Sequence, residues 1–275
     1  MSNIPENAVS ETAAASCLSV AVFSHNGAVR PNNEDNFFVN GYTRKIEDNV
    51  VSFSEIMPSD GLLLEVCDGM GGEAMGEVAS DIAVKHCGLL FENLKNTGTA
   101  DLLDEVNRYI ESANSEICQT IGNTESRRGG STFVLAYFKN DVVYPYSLGD
   151  SRLYAFNGTK LVQISEDHTL GMRKFKSNIC SYEEAMTGPD SHKLTLFLGV
   201  DVNNDGLSAQ PYRPFRVEKG WKLLLCSDGL YDMVPGYEIA EILKSEPAEA
   251  CRTLVDCAVA HGGMDNVTCI VAEMR

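Results

Sequence analysis

Four strand-like segments follow one another with almost no chain between them, at residues 131–138, 141–148, 151–156 and 160–164. Turn residues separate them, with Lys139-Asn140-Asp141 at the first junction and Asn157-Gly158 inside the last. Parallel neighbours need a crossover of a dozen or more residues, so connections this short predict antiparallel pairing along the run. That excludes regular strand–helix–strand alternation for the middle of the chain.

The flanking sequence supplies further layers. Residues 17–23, 36–40, 50–54 and 61–67 read as strands, followed by helical patterns over about 73–95 and 100–121. In the second, Leu102, Leu103, Val106, Ile110 and Ile117 recur at three- and four-residue spacing. Beyond a polar segment at 166–192, expected to be an irregular surface flap, strands are predicted at 193–198, 212–217 and 222–226. Helices at about 235–244 and 247–260 precede a last strand at 266–273. Strand runs followed by paired helices, twice over, predict an α+β sandwich with antiparallel sheets inside and helix pairs outside. Residues 1–16 are small and polar and read as a disordered tail, leaving 17–275 as one domain.

Composition narrows the class of function. The 39 acidic residues against 22 basic ones give a net charge of −17, a field that repels nucleic acid and anionic lipid. No apolar run could span a bilayer and no secretory h-region is visible. The nine cysteines are scattered without CxxC pairs, and several lie in apolar stretches (Cys67, Cys226, Cys269), so they read as reduced thiols in a reducing cytosol.

Two motifs suggest a ligand and then fail. Gly69-Met70-Gly71-Gly72-Glu73-Ala74 matches the G-x-G-x-x-A dinucleotide fingerprint, with Glu92 about the right distance downstream. Asp68 would then stand beside a pyrophosphate, and the antiparallel run breaks the alternation such a domain needs. "DVNNDG" at 201–206 opens like a calcium loop, but the twelfth position is Tyr212 rather than Glu. It reads as a turn.

Acids at strand ends are more informative. Asp68 closes "LLLEVCD", Asp228 closes "KLLLCSD", Asp265 opens "DNVTCIV", and Asp150 lies in "SLGDSR" between two strands. Singly, each serves equally as a turn or cap aspartate. Gathered at the edges of neighbouring strands, they would raise one another's pKa unless a divalent cation held them, and oxygen-only ligands select Mg²⁺ or Mn²⁺. Gly69 could add its backbone carbonyl, and Gly71 and Gly72 would permit a tight turn into the next helix. In "RPNNEDNFF", Glu34 and Asp35 are further carboxylates, and Arg30 is suited to forked recognition of phosphate.

With these residues in place the chain resembles the metal-dependent type-2C (PPM) protein serine/threonine phosphatases. Seven motifs carry the resemblance in order: "RPNNEDNFF", "VCDGMGG", "RGGSTFVLA", "SLGDSRLY", "EDHT", "LLLCSDGLYD" and "DNVTCIV". The short form is most similar to bacterial single-domain members that oppose Ser/Thr kinases. The resemblance implies a four-layer α-β-β-α sandwich with two Mn²⁺ or Mg²⁺ ions at one edge of its central antiparallel sheets. By motif, Asp68 bridges the metals, Gly69 gives a carbonyl, Asp228 and Asp265 are ligands, and Glu34 and Asp35 complete the centre. Asp150 matches the aspartate that shares a third, weaker metal with Asp228, and Arg30 matches the phosphate-binding arginine. The implied activity is hydrolysis of phosphoserine and phosphothreonine in proteins by a metal-activated water, with Arg30, Asp68 and Asp228 central to it. A cytoplasmic monomer acting on the targets of a Ser/Thr kinase is the expectation that follows. Met70 departs from the histidine that many eukaryotic members carry there, and the flap sequence departs from the commoner bacterial pattern. His168, in "EDHT", is not a substitute acid by virtue of its residue type.

Overall fold

The computed structural model describes residues 16–71, 75–121, 129–200 and 206–275. All but the last residue of the expected 1–16 tail, Gly72 and nearly all of the 201–206 turn lie outside the described residues. In chain order the elements begin with β1 (Cys17–His25), β2 (Asn36–Val39), β3 (Val50–Pro58), β4 (Leu63–Cys67) and β5 (Gly69–Gly71). Helices α1 (Met75–Leu94) and α2 (Leu102–Ile121) follow. Then come β6 (Gly129–Ser131), β7 (Phe133–Lys139), β8 (Val142–Leu148), β9 (Arg152–Phe156) and β10 (Leu161–Gln163). Short helices α3 (Leu170–Lys176) and α4 (Tyr182–Thr187) precede β11 (Gln210–Pro211), β12 (Phe215–Arg216) and β13 (Lys222–Cys226). The chain ends with α5 (Asp228–Tyr231), α6 (Gly236–Ile242), α7 (Pro247–Ala260) and β14 (Val267–Met274).

Two antiparallel sheets stack face to face. One has the order β10-β9-β13-β14-β1-β3; the other has β11-β8-β7-β4-β2, with β12 also on β8. The sequence dictates this layering through period-two alternation inside fully apolar strands. In β1, Leu18, Val20 and Val22 point between the sheets, while Ala21 and Phe23 meet the helix layer of α6 and α7. In β13, Leu223 and Leu225 face inward and Leu224 and Cys226 outward. In β4, Leu64 and Val66 fill the centre, whereas Leu63 and Cys67 pack against α1 and α2 through Ile82, Leu90, Val106 and Ile110. A strand covered on both faces has no polar alternation to show, which is why these runs read as continuous apolar stretches. The α-β-β-α sandwich expected from the sequence is the observed architecture.

Three local expectations need correction. The run at 131–164 is not one antiparallel array: β7 pairs with β8 and β9 with β10, but β8 and β9 belong to different sheets. The short Gly149-Asp150-Ser151 link crosses from one sheet to the other. Sheets stacked about 10 Å apart can be bridged by a few residues, an option the pairing rule for in-plane neighbours does not cover. Gly149 takes φ +109°, and a Cβ there would lie 2.5 Å from Thr132 Cγ2. Residues 193–198 form only isolated bridges, Thr169 with Leu194 and Ser131 with Leu198. The expected strand at 212–217 shrinks to β12, with β11 just before it, because Pro214 cannot donate to a ladder.

The glycine stretch and the flap also differ from expectation. Gly69–Gly71 does not turn directly into a helix but pairs with Gly129–Ser131 as a two-stranded ribbon. The 166–192 segment is ordered into α3, capped by Thr169, and α4, opened by a Ser181/Glu184 capping box.

Candidate metal centre

One edge of the sandwich gathers the acids that the sequence scatters. Arg30, Glu34, Asp68, Gly69, Asp150, Asp228 and Asp265 line a single cavity of about 210 Å³, together with Met70, Thr132, His192 and Leu194. Asp35 does not line it. It lies beneath, 1% exposed, where its carboxylate accepts a 2.7 Å hydrogen bond from Ser227 Oγ.

Strand ends and their side-chain ties aim these groups. Thr132 Oγ1 accepts from the Asp68 backbone N–H at 3.1 Å, and the Thr132 N–H donates to the Asp68 carbonyl at 2.9 Å. The same hydroxyl lies 2.6 Å from Ser151 Oγ, so one threonine joins the Asp68 strand end to the crossover that carries Asp150. His168 holds that crossover from the other side. Its Nδ1 accepts from the Gly149 N–H at 3.0 Å, and its own backbone N–H donates to the Gly149 carbonyl. Burial pushes the His168 pKa down, consistent with a neutral ring whose Nδ1 is an acceptor. Behind it, Arg152 makes a forked pair with buried Asp167, at 3.0 Å from Nε and 2.6 Å from Nη2, and lies 3.4 Å from the Tyr231 ring centre. Tyr231 in turn donates to the Asp150 carbonyl at 3.1 Å.

The Glu34–Asp35 segment is set by a buried arginine. Arg44 is 1% exposed and donates to the carbonyls of Asn33, Asp35, Lys45, Ile46 and Asp48. Asn266 Oδ1 accepts from the Glu34 N–H at 2.7 Å, tying the segment to the residue after Asp265. Two glycines allow the remaining approach. A Cβ on Gly69 would lie 2.2 Å from the Gly76 carbonyl oxygen and 2.4 Å from that of Glu34. One on Gly76 would lie 2.6 Å from Glu34 Oε2. The glycines therefore serve close packing of three backbone segments rather than a phosphate cradle.

Arg30 stands at the cavity mouth, half exposed, with Nη2 donating to Asp265 Oδ2 at 2.8 Å. An exposed pair of this kind contributes at most about 1 kcal/mol, so the guanidinium is easily redirected to a stronger acceptor. The interior is electrostatically unsatisfied. Burial, then the charges of Asp228 and its neighbours, hold Asp68 and Asp150 well above the usual carboxylate range. Burial, followed by Asp232 and Asp265, pushes Asp228 up to about 6. Burial also takes Asp35 to about 7, against the Ser227 and Thr268 hydrogen bonds that lower it. Glu34 is raised by burial although Arg30 opposes the shift. A cavity walled by carboxylates that disfavour one another's ionisation fits divalent cations, and a mainly oxygen donor set suits hard ones.

Comparison with known proteins places this geometry. A family model described as protein phosphatase 2C matches residues 52–255. The chain belongs to that family. It is 30% identical over 262 residues to the protein phosphatase PhpP of Streptococcus pneumoniae, covering 94% of this chain and 98% of that one. It is 34% identical to the serine/threonine phosphatase stp of Listeria monocytogenes, over 90% of this chain and 92% of that one. The catalytic domain of the phosphatase PstP, solved in complex with two manganese ions, superposes with a TM-score of 0.72 at 30% identity. That match covers 94% of this chain and 99% of the PstP domain.

Several residues of this phosphatase-family site escaped the sequence reading. Ser227 and Asn266 adjoin motif aspartates and Thr132 lies in "RGGSTFVLA", so a signal for them existed. Gly76 and Arg44 act through backbone contacts that no local pattern encodes. His192 and Asp232 come together only through the folded flap, with His192 Nδ1 3.9 Å from Asp228 Oδ2 and 3.7 Å from Asp232 Oδ2.

Proposed function

We propose that this chain is a metal-dependent phosphoprotein phosphatase that hydrolyses phosphoserine and phosphothreonine. The observation that carries the reading is the convergence of Asp68, Asp150, Asp228, Glu34 and Asp265 on one cavity with Arg30 at its mouth. In this reading Asp68, Asp228, Asp265 and Glu34 hold two Mn²⁺ or Mg²⁺ ions with the Gly69 carbonyl. Asp35 supports Asp228 from below through Ser227, and Asp150 shares an outer ion with Asp228. When bound, the ions supply Lewis acidity and an activated water nucleophile near neutral pH.

The remaining roles belong to the chain. Arg30 leaves its exposed pair with Asp265 and takes the substrate's phosphoryl oxygens, stabilising charge as the phosphorus–oxygen bond to the serine or threonine breaks. Water's oxygen becomes bonded to phosphorus, and the departing alkoxide receives a proton. Met70 lines the cavity without a titratable group, so it cannot supply that proton. None of the described cysteines lines the cavity, and the chemistry requires no thiol nucleophile.

Residues 17–275 act in this proposal as one catalytic domain carrying the 166–192 flap. The substrates are phosphorylated proteins, the targets of a partner Ser/Thr kinase, met by a cytoplasmic monomer. Among the described residues no helix is long and apolar enough to cross a membrane. The test is hydrolysis of a phosphothreonine peptide with and without Mn²⁺, using wild type and Asp228→Asn. Turnover that needs the ion and collapses in the variant is expected; full activity in excess chelator overturns the reading.

A further inference from the structure

His192 closes the flap segment and borders two adjoining cavities. One is the acidic cavity; the other, of about 200 Å³, is walled by Arg152, Asp167, Tyr231 and Asp232. Its side chain is 54% exposed, and neither of its carboxylate distances, 3.9 Å to Asp228 and 3.7 Å to Asp232, is a hydrogen bond. Asp150 is the converse: 4% exposed, lining the acidic cavity, with no side chain of the described residues donating to its carboxylate. One ligand atom from each of Asp150, His192 and Asp228 can be chosen so that all three lie within 4.8 Å of one another. An octahedral ion with bonds of about 2.1 Å holds its donors roughly 3.0 to 4.2 Å apart. A small rotation of the exposed imidazole closes the difference.

We propose that His192 supplies a nitrogen ligand to the outer cation position between Asp150 and Asp228, and that this imidazole turns the position's preference from Mg²⁺ toward Co²⁺ and Ni²⁺. The proposal rests on the metal-centre reading above and adds a donor of a different chemical kind. Carboxylate oxygens suit Mg²⁺; an imidazole nitrogen favours the later first-row ions, whose affinity for such sites rises from Mn²⁺ through Co²⁺ to Ni²⁺. Asp232 approaches the same ring nitrogen: its Oδ2 lies 3.7 Å from His192 Nδ1 and adds negative potential there. The core position around Asp68, Glu34 and Asp265 has no such nitrogen within its cavity wall other than His192, so the two positions should differ in selectivity. Because His192 ends the flap, occupancy of the outer position also fastens that segment to the sheet edge.

Calorimetric titration with Mg²⁺ and, separately, Co²⁺ tests this on wild type, His192→Asn and Asp150→Asn. The ratio of Co²⁺ to Mg²⁺ affinity at the weakest site is expected to fall about tenfold or more in His192→Asn, with the tighter sites unchanged. In parallel, the imidazole ¹⁵N signal that vanishes in His192→Asn should be broadened or shifted by Co²⁺ only as that last site fills. An unchanged affinity ratio, or an imidazole signal indifferent to the last equivalent of Co²⁺, overturns the proposal. If Asp150→Asn loses the outer site while His192→Asn keeps it with wild-type selectivity, the histidine proposal fails and the metal centre stands. If wild type binds neither ion, both fail together.

Discussion

Among the described residues, two regions bury carboxylates without a cationic partner inside them, and they do opposite things with them. At the sheet edge, Asp68, Asp150 and Asp228 converge on a cavity with room for ions and an opening to solvent. In the layer between the second sheet and α1 and α2, Glu65 is 0% exposed, and neither of its oxygens has a hydrogen-bond partner among the described residues. The polar groups that act on it are Tyr109, Cys87 and Cys67, themselves buried in the apolar layer. Burial pushes Glu65 up to about 7, the same direction as at the sheet edge. A raised pKa by itself therefore does not mark a site. Several acids around a shared opening do, because their mutual repulsion is relieved by a cation; a solitary acid in a packed layer is relieved only by its own proton.

The largest expected effect tests the first half of that contrast. Asp68→Asn should lower turnover of a phosphothreonine peptide by about a thousandfold at saturating Mn²⁺, since a neutral amide cannot replace the charge that holds the ions. Wild-type turnover in this variant would leave the two buried-acid regions functionally alike.

Next in size is a stability effect confined to the second region. The folded protein keeps the Glu65 proton to about pH 7, whereas an ordinary glutamate loses it near 4.5. Stability is thus fullest below about 4.5 and falls as pH rises through 7, by on the order of 3 kcal/mol. Glu65→Met should remove this decline, raising stability at pH 8 far more than at pH 5, with peptide turnover unchanged. Denaturant melts at the two pH values with Mn²⁺ present isolate this group from the cavity acids. An equal gain at both values would refute the account.

Smaller effects sharpen the cavity itself. Arg30→Ala should raise KM for phosphopeptide about tenfold, a loss of about 1.4 kcal/mol, while Mn²⁺ affinity and melting temperature stay near wild type. Unchanged KM would assign Arg30 to its Asp265 pair alone. Gly76→Ala should weaken Mn²⁺ binding several-fold, because the new Cβ would lie 2.6 Å from Glu34 Oε2 and 2.8 Å from the Gly69 carbonyl carbon, so that a backbone segment as well as a carboxylate must give way. Wild-type Mn²⁺ affinity in this variant would mean that the close approach of these segments is not needed to hold the ion.

The layering was legible because its signals are local. Apolar strands such as Leu223–Cys226 and helices with three- and four-residue spacing announce themselves within one window. Part of the site was legible for the same reason: Asp68 and Asp228 are acids abutting apolar runs, a costly juxtaposition that asks for a partner. The crossing at Gly149-Asp150 was misread, since a short turn between in-plane strands and a short link between stacked sheets look alike in one dimension. Glu65 gave no warning either. Within "LLLEVCD" it could have pointed to solvent, and only packing of α1 and α2 on that face seals it.

The sequence by itself determined the two sheets, the flanking helix pairs and the acids available to a metal, because periodicity and residue chemistry are carried by neighbours along the chain. The tertiary structure decided which of those acids meet. It put Asp35 beneath the cavity, brought His192 to its wall and Asp232 to the cavity adjoining it, and buried Glu65 in the helix layer. Those outcomes depend on distances between residues well separated along the chain, which register and layer stacking fix and no local pattern records.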